Sequence, residues 1–396
     1  MGMRRVTMKW SFVSCNLIFF VVWAMLFPAG AYAAPPGIDT NAAGAALIDV
    51  ESGRILYSKK GDERMRIASL TKIMTAIVAI DHGSLADIVM VSKNAYGKEG
   101  SSIYLKLGEE MSLQHMLYGM MLRSGNDAAI AIAEHVGGSL EGFIYLMNEK
   151  AKLLGMENSH FINPSGLDDG AGHYSSPNDM AKLTAYALKN PVFREIVSTK
   201  TKKVPNPNED WDYTWFNKNK MLHLFDGADG VKTGYTKLAK RCLVSSATRG
   251  GQQLAVVTLN DPDDWADHAR LLTYGFQNYP LQPIVNKGDT VEGAEGVIGR
   301  SFAFPMLEEE RSSVIRKLVP ADRNSTDYKL GGRGSVQILI GGKQVGAVPL
   351  YAQNSAKLRM KERTAFIFTE IPTTSLIAQY TRTVKIVLHS LFAASN

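Results

Sequence analysis

Ser69 and Lys72 stand three residues apart in Arg66-Ile67-Ala68-Ser69-Leu70-Thr71-Lys72-Ile73-Met74-Thr75-Ala76, a pairing from which nucleophilic chemistry can be built. A serine hydroxyl attacks poorly until a neighbour takes its proton, and an amine does so only when its own pKa is lowered by burial or a second cation. Residues three apart share one side of a helix, so the Lys72 amine can reach the Ser69 oxygen. The spacing predicts a helix from Ser69 to about His82, with an apolar face through Ile73, Ala76, Ile77 and Ile80 and a stop at Gly83. Its N-terminus adds backbone N–H groups and a partial positive charge where an oxyanion would form. Taken alone, Ser-x-x-Lys reads most simply as a capping serine followed by a surface lysine, so the partners decide.

Two further short motifs follow in order, Ser124-Gly125-Asn126 and Lys232-Thr233-Gly234. Ser-x-Asn carries little by itself, since Ser14, Ser92 and Ser176 also begin one, whereas Lys-Thr-Gly occurs once, just before a strand-like run. The elements that must position them are readable. Ala45–Val50 and Arg54–Tyr57 read as strands around a Glu51-Ser52-Gly53 turn, and Tyr104–Glu109 as an extended segment. Ser112–Met121, Asn126–Val136 and Leu140–Leu154 read as helices, with Leu122–Asn126 as the break between the first two. His160–Leu167 is a Gly/Pro-punctuated loop, and Ser176-Pro177-Asn178-Asp179 caps a helix through Leu188. Residues 203–230 look loop-rich. Cys242–Ala247 and Gln253–Leu259 are strands joined through Gly250-Gly251, and Asp264–Asn278 is a closing amphipathic helix. Strands, then helices, then strands predict an α+β fold for residues 38–278, an antiparallel sheet flanked by a helical lobe.

The 396-residue chain is 45% hydrophobic and 21% charged, which excludes disorder and a polytopic membrane protein. Arg4, Arg5 and Lys9 precede an apolar run from Leu17 to Phe27, and Ala31-Tyr32-Ala33 follows, so residues 1–33 read as a secretory signal cleaved after Ala33, or as an uncleaved anchor. Cleavage lowers the formal charge from +6 to +3, and no basic tract argues for nucleic acid. Cys15 leaves with the signal, leaving Cys242 without a bridging partner, and no zinc-ligand spacing or other cofactor motif is present. Met111, Met116, Met120 and Met121 read as core filler. From Leu281 short apolar runs alternate with Gly, Pro and Asp, predicting a small all-β domain to about residue 371, with Val336–Gly342 as a hairpin strand and turn. Over 373–393, Leu376, Ile377, Tyr380, Val384, Val387, Leu388 and Leu391 fall at helical spacing, which suits a helix lying in a membrane interface or packed on the protein.

With their surroundings, Arg66–Ala76, Met121–Ala128 and Asp229-Gly230-Val231-Lys232-Thr233-Gly234-Tyr235-Thr236 closely resemble the serine-type D-alanyl-D-alanine carboxypeptidases, the low-molecular-mass penicillin-binding proteins. The loop His160–Leu167 and the tail of a β domain plus amphipathic helix resemble theirs too. The resemblance implies a fold of the β-lactamase/transpeptidase type, with peptidoglycan stem peptides ending in D-Ala-D-Ala as substrates and β-lactams as covalent inhibitors. It implies the outer face of the cytoplasmic membrane as partner of the C-terminal helix. Ser69 would be the nucleophile and Lys72 its base. Ser124 would relay a proton to the leaving nitrogen, and Asn126 would bind the substrate amide and Lys72. Lys232 and Thr233 would meet the terminal carboxylate, and Gly234 would let substrate lie along the sheet edge. The amides of Ser69 and Tyr235 would form the oxyanion hole. Against this, Gly125 stands where a class A β-lactamase has aspartate, and Ala239-Lys240-Arg241 replaces the Ala-Gly of many relatives, adding two charges near the rim that read most simply as solvated turn residues. A D,D-endopeptidase, a β-lactamase and a non-catalytic peptidoglycan-binding envelope protein are the alternatives.

Overall fold

The computed structural model describes residues 37–359; the expected signal, the amphipathic helix and residues 360–371 lie outside the described residues. Five antiparallel strands form the central sheet: β1 (Gly44–Asp49), β2 (Ile55–Lys59), β3 (Ala228–Thr236), β4 (Lys240–Arg249) and β5 (Gln252–Leu259), in spatial order β2-β1-β5-β4-β3. Side chains alternate between the two faces with the strand period of two. Ala46, Ile48, Val244, Ala255 and Val257 enter the core of the helical lobe, whereas Ala45, Leu47, Leu243, Leu254 and Val256 pack on the opposite face against Leu271 and Leu272 of the closing helix, Asp264–Asn278. Each fully buried Leu or Val contributes about 1.5–3 kcal/mol, so both faces anchor the sheet and leave β3 as a fixed edge.

The lobe is built around α1 (Thr71–His82). Its residues from Thr71 to Ala79 are all buried, the polar Thr71, Lys72 and Thr75 among them, so burial extends around the whole helix and not along one apolar face alone. It packs against α2 (Leu113–Arg123), α3 (Asn126–Gly137), α4 (Leu140–Leu153), α5 (Pro177–Leu188) and α6 (Pro191–Ser198). The caps follow the sequence: the Ser112, Ser139 and Ser176 hydroxyls accept from the amides of His115, Gly142 and Asp179. Two features depart from expectation. Tyr104–Glu109 is not one extended run: Tyr104 is left-handed at φ 63° and the chain turns at Leu107-Gly108, while the amides of Ile103 and Leu105 donate to the buried Asp127 carboxylate, at 3.1 and 3.2 Å. The stretch before residue 230 is more regular than its composition suggests, with a hairpin of Thr201–Val204 and Tyr213–Phe216 whose Trp215 is buried on the lobe.

Beyond Leu281 the chain makes its own sheet, in the order Val297–Ile298, Lys343–Tyr351, Gly332–Ile340, Val314–Pro320, around Ile284, Ile298, Phe304, Val336, Ile338, Val348 and Leu350. Arg54 ties it to β2: its guanidinium grips Glu310 at 2.6 and 2.9 Å, donates to the Pro305 carbonyl at 2.7 Å and lies over the rings of Tyr279 and Phe304.

Candidate active site

The chain enters α1 through a tight turn, Ala68–Leu70, in which Ala68 takes a left-handed conformation at φ 47°. A non-glycine residue held there costs about 1–3 kcal/mol and persists only where its surroundings fix it. Ser69 sits on this turn, half-buried, and Lys72 one turn further is completely buried. The Lys72 Nζ lies 3.1 Å from Ser69 Oγ, 2.7 Å from Asn126 Oδ1 and 2.6 Å from the Ser165 carbonyl oxygen. The Asn126 amide is oriented unambiguously, since its Nδ2 donates to the Glu99 carbonyl at 2.6 Å. A neutral amine has two hydrogens and one lone pair. The two obligate acceptors take the hydrogens, which leaves the lone pair to accept the Ser69 hydroxyl hydrogen.

The electrostatics favour that neutral form. Burial pushes the Lys72 pKa well below the usual lysine range, and the Lys232 and Lys218 charges push the same way, while Asp127 opposes them. The Asp127 carboxylate is already engaged by the Ser102 hydroxyl at 2.6 Å and three backbone amides, those of Ile103, Leu105 and Ala128. Lys232 is also buried and lowered to about 7, by burial first and Lys218 second; its Nζ donates to the Thr233 carbonyl at 2.7 Å. Sequence reasoning missed Lys218, which reaches the Ser101 hydroxyl at 3.5 Å. No motif marks it, because its place depends on the fold of the loop before β3.

Lys232, Thr233, Gly234 and Tyr235 lie on the edge strand β3, paired through Val244, Leu243, Cys242 and Arg241 of β4. A Cβ on Gly234 would fall 3.2 Å from the Ser69 amide nitrogen and 3.3 Å from the Ile67 carbonyl. The glycine therefore does more than clear the sheet edge: it keeps a side chain away from the Ser69 N–H. Ser124 caps α2 in the left-handed region at φ 67°, buried, two residues before Asn126. Ser69, Lys72 and Asn126 are thus joined by hydrogen bonds and Gly234 packs beside them. Lys240 is exposed, but Arg241 is not simply solvated, because it pairs with Asp264 and lies beside Trp265. Among the described residues no group of three or more His, Cys, Asp or Glu side chains could hold a metal ion.

The loop from His160 to Tyr174 closes the lower side. Besides the Ser165 carbonyl on Lys72, its Pro164 carbonyl accepts from Thr75 at 2.7 Å. Asn163 Oδ1 braces the turn by accepting from the amides of Ser165 and Gly166. Gly166, at φ 81°, lies so close that a Cβ there would come within 1.9 Å of the Ala68 carbonyl oxygen.

A family profile described as Peptidase_S11, D-alanyl-D-alanine carboxypeptidase, matches residues 30–263. The chain is 35% identical over 309 residues to the D-alanyl-D-alanine carboxypeptidase DacF of Bacillus subtilis, covering 75% of this chain and 79% of that one. Among solved structures it resembles a serine-to-alanine variant of a Streptomyces DD-transpeptidase, with TM-score 0.58, 33% identity, and 61% of this chain and 100% of that one covered. It also resembles the D-alanyl-D-alanine carboxypeptidase DacD of Francisella tularensis, with TM-score 0.62, 27% identity, and coverage of 84% and 97%. The fold is accordingly that of a penicillin-binding protein, and the chain belongs to the D-alanyl-D-alanine carboxypeptidase family of serine peptidases.

Proposed function

We propose that Ser69 is the nucleophile that removes the terminal D-alanine from peptidoglycan stem peptides through an acyl-enzyme. The observation that carries the reading is the sealed Lys72 amine, held by two oxygen acceptors with its third position on Ser69 Oγ at 3.1 Å. Lys72 takes the hydroxyl proton as Ser69 Oγ bonds to the carbonyl carbon of the D-Ala-D-Ala peptide. The oxyanion faces the amides of Ser69 and Tyr235, donors worth about 3 kcal/mol each in such sites. The C–N bond breaks as a proton passes through Ser124 to the leaving D-alanine nitrogen. Water then cleaves the ester and restores Ser69. Lys232, when protonated, and Thr233 anchor the substrate carboxylate, while Asn126 holds the scissile amide side. A β-lactam acylates the same oxygen because its ring amide occupies the position of that peptide.

The mature enzyme would start after Ala33, act outside the cytoplasmic membrane, carry catalytic residues 38–278 and a β domain over 281–371, and rest on the membrane surface through 373–393. The test is D-alanine release from a synthetic peptide ending in D-Ala-D-Ala, with and without an amine acceptor. Wild type should release D-alanine into water and Ser69→Ala should release none. Release by Ser69→Ala, or turnover of penicillin at many cycles per second by wild type, would overturn the assignment.

A further inference from the structure

A peptide unit is planar and trans, so the Ala68 carbonyl and the Ser69 N–H are two ends of one rigid plate and point in opposite directions. Whatever fixes the carbonyl also aims the N–H. The Ala68 carbonyl accepts from the Thr71 backbone N–H and, at 2.9 Å, from the Thr71 hydroxyl. The Thr71 oxygen lies 2.7 Å from His173 Nε2, and His173 Nδ1 accepts from the Ile162 amide at 3.2 Å. Because the Ile162 N–H can only donate, the neutral imidazole carries its hydrogen on Nε2 and gives it to Thr71. Every donor therefore points one way, from Ile162 through His173 and Thr71 to Ala68, and bonds in such a chain polarise and strengthen one another. The chain is dry: Thr71 is fully buried, His173 is 4% exposed, and Phe161 stands edge-on to the imidazole. Burial also holds the His173 pKa down at about 4, so the directional tautomer persists at neutral pH. The left-handed Ala68 and the close approach of Gly166 to its carbonyl show independently that this peptide is clamped.

We infer that Thr71 and His173 are positioning residues for the oxyanion hole, a buried hydrogen-bond chain that holds the Ala68–Ser69 peptide so that the Ser69 N–H faces the reacting carbonyl. The inference rests on Ser69 being the nucleophile. It predicts an effect on bond making and not on substrate capture, because both side chains are buried.

The experiment uses the full chain and measures the acylation rate by a fluorescent penicillin, kcat and KM for D-alanine release, and the unfolding temperature. Thr71→Val should lower acylation and kcat about tenfold with KM within about twofold. Thr71→Ser, which keeps the hydroxyl, should acylate at close to the wild-type rate. His173→Leu should fall as Thr71→Val does, His173→Gln should retain most of the rate, and the double variant Thr71→Val/His173→Leu should be no slower than either single one. A folded Thr71→Val protein that acylates at the wild-type rate, or a Thr71→Ser protein as slow as Thr71→Val, would overturn the inference. Labelling of Ser69→Ala sinks the nucleophile assignment itself. Its absence there, together with full-rate Thr71→Val, sinks only the positioning chain.

Discussion

The two faces of the sheet each bury a histidine between oxygen or nitrogen partners, and the two arrangements differ in kind. On the far face His268, a residue of the closing helix, is completely buried, with Nδ1 2.5 Å from the Ser245 hydroxyl and Nε2 3.0 Å from the Thr258 hydroxyl. Both partners are hydroxyls, each able to donate or accept, so neither contact by itself sets the tautomer. On the site face His173 meets a backbone N–H that cannot rotate, which sets its tautomer and gives the chain beyond it a direction. The same side chain is packing cement in one place and an alignment device in the other; the partner decides. The site face also buries Lys72 and Lys232 against uncharged oxygens, which trades stability for reactivity.

The comparison breaks most visibly at Lys72. Lys72→Met keeps the volume and removes the base, so acylation should fall by about 10³-fold or more, with an unfolding temperature equal to or above wild type. Loss of stability in place of rate would mean that the lysine is structural. Gly166→Ala belongs to both categories, because the residue has a left-handed backbone and its new Cβ would strike the Ala68 carbonyl. We expect a stability loss of about 3 kcal/mol with slower acylation of the surviving folded fraction; an unaltered protein would show that the loop is not pressed on the Ser69 turn. His268→Leu should cost about 2 kcal/mol in unfolding, since two buried hydroxyls lose a partner, while kcat/KM stays within about twofold. A selective fall in kcat there would erase the distinction between the faces.

The smallest effect is in pH. Lys232 is held at about 7, charged below that pH and neutral above it. A substrate with a free C-terminal carboxylate should therefore lose kcat/KM as pH rises through 7, whereas the corresponding methyl ester should not share that limb. Parallel profiles for acid and ester would remove Lys232 from carboxylate recognition.

How much of this was legible in the chain varies by element. The i, i+3 pairing of Ser69 and Lys72 is a property of local helix geometry, so sequence spacing suffices. The pairing of β4 with β5 through Gly250-Gly251 and the strand–helix–strand order are likewise local or periodic signals. Helix Pro191–Ser198 was missed although Asn190-Pro191 carries the signature of a cap followed by a first-turn proline, and Asn190 Oδ1 does accept from the Val192 amide at 2.9 Å. The departure of Tyr104–Glu109 from an extended run has a different cause. A single buried carboxylate, Asp127, draws the Ile103 and Leu105 amides inward, and no propensity records a charge that the fold brings from more than twenty residues away. The same holds for Thr71 and His173, 102 residues apart, which meet only once the loop closes. The Ser165 carbonyl on Lys72 is a backbone contact with no sequence signal of its own.

The central claim is tested most directly by treating the intact protein with a penicillin and mapping the adduct by peptide mass spectrometry. The account predicts one penicilloyl group per chain, on Ser69, and none after Ser69→Ala. An adduct on any other residue, or stoichiometric labelling that survives the substitution, would contradict it.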